Sequence, residues 1–84
     1  MKINLSYGVQ IVRELYQDGQ ISSNDMEEVT DFILTYSLYE AAVSNEIASL
    51  IEPGVKVEDT ERAAHEMVVL RLIKDLDKKR KATL

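Results

Sequence analysis

The side chains that could do chemistry are few: one histidine, His65, four tyrosines, fifteen acids and no cysteine. A zinc-peptidase helix needs a second histidine four residues after the first, and His65-Glu66-Met67-Val68-Val69 lacks it. No serine stands in a recognisable nucleophile motif. His65 therefore reads as a helix-surface or boundary residue, with a pH-sensitive contact as the alternative. Asp25, Glu27, Glu28 and Asp31 crowd the start of a helix, where negative charge is favourable. They lack the glycine-turned loop of alternating oxygen ligands that calcium requires. Hydrolysis by paired carboxylates needs a cleft, which a few short helices scarcely provide. Without cysteine, a disulfide framework and thiolate metal sites are excluded. The sequence predicts no enzyme, no cofactor and no bound metal.

The elements around these residues read as helices. Eighty-four residues with 45% hydrophobic and 30% charged side chains suit one globular domain, 1–84. Three glycines and one proline are too few turn formers for a small β-sandwich. The fold class expected is all-α: three helices in a small bundle, the central one long. The first covers about 6–18, with Tyr7, Ile11 and Leu15 at i, i+4 steps and Gly19 placed to end it. Residues 1–5 form either an extended lead or an extra turn. The second, about 22–52, is capped by Ser22, stapled by Ile21 and Met26, and stopped by Pro53-Gly54. The third covers about 58–80, with Ala64, Met67, Val68, Leu72, Ile73 and Leu76 along its stripe. The short connection at 19–21 makes the first helix fold back on the second. A basic tail, 78–84, is expected to fray.

The central helix carries more apolar surface than one face can hold. A heptad-like seam runs through Met26, Val29, Ile33, Tyr36, Glu40, Val43, Ile47 and Leu50. Phe32, Leu34, Leu38 and Tyr39 point elsewhere at 100° per residue. The surplus over 32–43 is either covered by a compact fold or forms an interface, because exposed apolar patches mark binding surfaces. The interface candidates are Phe32, Tyr36, Tyr39, Glu40 and Val43, serving a protein partner or a homo-oligomer. Glu40 either snorkels to the rim or is a buried polar group pairing with Arg13, Arg62 or Arg71.

Charge narrows the partner. Over residues 1–77 six bases against fifteen acids leave −9, and the other four bases form the run Lys78-Lys79-Arg80-Lys81. The acidic body repels nucleic acid. A DNA-reading helix starting Ser23-Asn24-Asp25-Met26-Glu27-Glu28 would be pushed away by phosphates, so a helix-turn-helix is rejected. The basic run either complements a helix C-terminus or contacts an acidic partner, nucleic acid or anionic lipid. No signal peptide and no transmembrane segment are expected, so the chain reads as cytoplasmic.

The opening Lys2-Ile3-Asn4-Leu5-Ser6-Tyr7-Gly8-Val9-Gln10-Ile11-Val12-Arg13-Glu14-Leu15-Tyr16 and the middle Glu27-Glu28-Val29-Thr30-Asp31-Phe32-Ile33-Leu34-Thr35-Tyr36 carry a resemblance. They resemble the small lysis-inhibition accessory proteins of T-even-type bacteriophages. The resemblance implies a soluble antiholin-type regulator in the host cytoplasm, which binds the cytoplasmic part of the phage holin and delays lysis. No motif carries individual binding residues across. Other readings are an inhibitor of a host enzyme or defence complex whose acidic surface imitates nucleic acid, and a structural or assembly role. A further one is a small-molecule-binding oligomer with a pocket between subunits around Tyr36, Tyr39 and Glu40.

Overall fold

Caps in the sequence become helix ends in the structure, a computed structural model that describes residues 2–82. Asn4 caps α1 (Leu5–Gln17), its side-chain oxygen accepting from the Ser6 N–H at 3.1 Å and the Ser6 hydroxyl at 2.6 Å. Residues 2–4 are thus a lead rather than a helical turn, and Ile3 anchors it in the core. Gly19, at φ +74°, closes α1 with its N–H donating to the Tyr16 carbonyl while the Gln20 N–H reaches the Leu15 carbonyl. These two bonds satisfy carbonyls that the helix end leaves open. Ser22 then caps α2 (Ser23–Leu34), accepting from the Asp25 N–H at 3.2 Å.

The expected single helix over 22–52 does not exist. It is two helices, α2 and α3 (Ser37–Leu50), and with α4 (Val57–Ala82) the described residues form four helices rather than three. The break is at Tyr36, where φ is +66° and ψ −64°. The Ser37 N–H donates back to the Thr35 carbonyl at 2.8 Å, closing a three-residue turn of the rare, strained hand. Positions 78–82, expected to fray, are the last turn of α4; Thr83 and Leu84 lie outside the described residues.

Cross-helix contacts give the layout. Asn4 meets Glu61 and Tyr7 meets His65, so α1 runs parallel to α4. Asp25 at the start of α2 pairs with Arg80 near the end of α4, and Phe32 shares a groove with Leu72, so α2 runs antiparallel to it. A helix continuing along that line would bring residue 46 opposite residue 59. Instead Glu46 pairs with Arg71, twelve residues further along α4, or about 18 Å at the helical rise. The turn at Tyr36 therefore redirects the chain. One core results, with Val12 from α1, Val29 and Ile33 from α2, Tyr39, Val43 and Ile47 from α3, and Ala64, Val68 and Val69 from α4.

Candidate functional site

The redirected corner exposes apolar surface. Leu34 ends α2, Leu38 opens α3, and they remain 61% and 66% exposed on either side of Tyr36, which is 38% exposed. Leu34 also shares a shallow groove with Leu5 and Val9 of α1, rimmed by Ser6, Gln10 and Arg13. Removing such side chains from water stabilises a complex by roughly 25 cal/mol per Å² of apolar area. The Glu40 carboxylate one helical turn on raises the pKa of the Tyr36 phenol. A non-glycine residue held in strained backbone often marks a functional position, since nothing local stabilises the geometry.

The five expected interface residues separate. Tyr36 is at the surface, with half-buried Glu40 beside it. Phe32 is half-buried in the groove between α2 and α4, where Val29, Leu72 and Leu76 also contribute and Glu28, Asp75 and Lys79 form the edges. Tyr39 and Val43 are fully buried, so in this chain they are core and not surface. The reason is the slipped register: α3 buries Tyr39, Val43 and Ile47, and the seam drawn through Tyr36 and Glu40 turns outward. Leu34 and Leu38, the two most exposed of the large apolar side chains, belong to the surplus over 32–43 but are not among the five interface candidates. The available signal was Thr35-Tyr36-Ser37, three consecutive residues of modest helix propensity inside a supposed helix.

His65 is not on a surface or boundary. It is fully buried, with Nδ1 2.6 Å from the Tyr39 hydroxyl and the Tyr7 ring packed edge-on at 5.6 Å. Its Nε2 lies 3.4 Å from Glu61, too far for a full hydrogen bond, and has no other partner among the described residues. Glu61 is held from the other side by the Asn4 N–H at 3.1 Å. Burial pushes the imidazole pKa down, and the Glu61 carboxylate opposes that without overcoming it. Burial pushes the Tyr39 phenol up, with the Glu61 charge adding to it. Gly8 makes room for this pair, because a Cβ there would lie 2.4 Å from the Tyr39 oxygen.

No helix among the described residues is long and apolar enough to cross a membrane. Among them, no group of three histidine, aspartate or glutamate side chains is placed to hold a metal ion. Comparison with protein-family models, with curated proteins and with solved structures finds no match to this chain.

Proposed function

We propose that the chain is a small non-enzymatic regulator acting in the cytoplasm, and that it docks a protein partner on the Leu34–Tyr36–Leu38 corner. The observation that carries this reading is the strained Tyr36 turn, which leaves three large apolar side chains facing water within five residues. A chain of this size has little apolar area to leave uncovered, and contiguous exposed patches of that kind mark binding surfaces. The single histidine lies sealed in the core, beyond the reach of a substrate, which favours binding over turnover.

The partner that suits this reading best comes from the resemblance of 2–16 and 27–36 to phage lysis-inhibition accessory proteins: the cytoplasmic segment of the phage holin. Holding that segment would delay lysis. A calorimetric titration with a synthetic peptide of a T-even-type holin's cytoplasmic segment is the test. The expected result is saturable heat, weakened about thirtyfold by Leu38→Ala, since truncating an anchor costs about 2 kcal/mol. No heat with the wild-type chain would overturn the holin assignment.

A further inference from the structure

We propose that Tyr39, His65 and Glu61 form a proton-sensitive latch: neutral His65 holds α3 against α1 and α4, and protonation of its ring releases α3.

The neutral ring fits its surroundings in one tautomer. With the proton on Nε2, the ring points its N–H toward Glu61 at 3.4 Å while the Nδ1 lone pair accepts from the Tyr39 hydroxyl at 2.6 Å. Tyr39 belongs to α3 and His65 to α4, so this bond is a polar pin between the two elements. It is the first inward contact of α3 after the strained turn, three residues past Tyr36. Protonation removes the acceptor. Nδ1 becomes a donor to the Tyr39 oxygen, the bond reverses, and the hydroxyl must turn its own hydrogen elsewhere. The side chain packed at this spot besides the Tyr39 ring is Ile33, whose Cδ1 methyl offers no acceptor.

The charged groups around the ring pull in opposite directions. Glu61 favours the imidazolium, but its carboxylate already accepts from the Asn4 N–H and misses hydrogen-bond distance to Nε2. The Arg62 guanidinium sits 5.3 Å from the Tyr7 ring centre, and Tyr7 packs against His65, adding positive charge on that side. From α3 the facing group is the Tyr39 phenol, which stays neutral; α2 reaches this corner with apolar Ile33. A cation at a fully buried site needs close pairing and complete hydrogen bonding, and here its one counter-charge is Glu61 at 3.4 Å, short of a full hydrogen bond. The folded chain therefore binds the His65 proton less well than the unfolded chain. The corresponding stability is complete above pH 6.5 and falls away as the pH drops below it.

His65 is the only histidine, so one imidazole signal reports the latch. The experiment follows that signal by NMR from pH 7.5 to 5.5, with thermal melts and amide exchange over the same range. The folded ring should titrate below pH 6.5, and the melting midpoint should fall by about 5 °C or more between pH 7.5 and 5.5. Exchange protection should be lost in 37–50 before it is lost in α1 and α2. His65→Gln should abolish the drop in midpoint. If that variant does not fold, Glu61→Gln serves, because removing the opposing carboxylate should lower the ring's titration further. A ring titrating at or above 6.5, a flat midpoint, simultaneous loss of protection in all helices, or no downward movement in Glu61→Gln would overturn the latch.

Discussion

Gly8 sits inside a helix, where glycine is normally about 1 kcal/mol worse than alanine. The Tyr39 hydroxyl explains its presence, since it occupies the space a methyl group would need. Gly8→Ala should therefore destabilise the fold by about 1–3 kcal/mol through overpacking, reversing the propensity gain. Tyr39→Phe should also destabilise, by about 1–3 kcal/mol, because it leaves a buried ring nitrogen without its partner. Together the two changes should cost less than their sum, since the second removes the atom the first collides with. Urea unfolding of both single variants and the double variant measures that coupling. Strict additivity would show that Gly8 and Tyr39 do not share the space. From sequence Tyr39 reads as an interface candidate and His65 as a surface or boundary residue or a pH-sensitive contact, and nothing brings them together with Gly8. Gly8 and Tyr39 stand thirty-one positions apart, and a lone histidine carries no sign of burial.

Local chemistry foretold the elements where local chemistry decides them. Gly19 ends α1 and Ser22 caps α2 as their types require, and the stripes along 5–17 and 57–82 fix the first and last helices within two residues. The break at Tyr36 was hard to read, because spacings of three and four continue through it with only Glu40 off type, and Thr35-Tyr36-Ser37 is a weak signal beside them. Periodicity reports which residues want burial and is blind to a change of direction between them. Tertiary packing of Tyr39, Val43 and Ile47 on one side and of Val29 and Ile33 on the other sets the turn. Tyr36→Gly tests why a tyrosine stands there. Glycine takes positive φ freely, so the denaturation midpoint should hold or rise while partner binding falls. A large drop in the midpoint would show that the ring serves the fold instead.

At the scale of the molecule, α4 is the spine: α1 packs along it in parallel, α2 in antiparallel sense, and α3 crosses back after the turn. The apolar surplus read from 32–43 is thereby divided. Tyr39 and Val43 are absorbed into the core, Phe32 lines a groove, and Leu34, Tyr36 and Leu38 are left outside. Self-association is expected to use that same corner, so sedimentation should show a molar mass rising with concentration and Leu38→Lys should keep the chain monomeric. A Leu38→Lys variant that associates like the wild type would move the self-contact elsewhere.

The claim that the corner is the docking surface is tested most directly by hydrogen–deuterium exchange with and without the holin peptide. Added protection should centre on residues 33–40 and extend to 5–13 of α1, which shares the Leu34 groove. The C-terminal turns of α4 should exchange as they do in the free chain. Protection confined to the α2–α4 groove or to the basic run at 78–81, with 33–40 unchanged, would contradict the account.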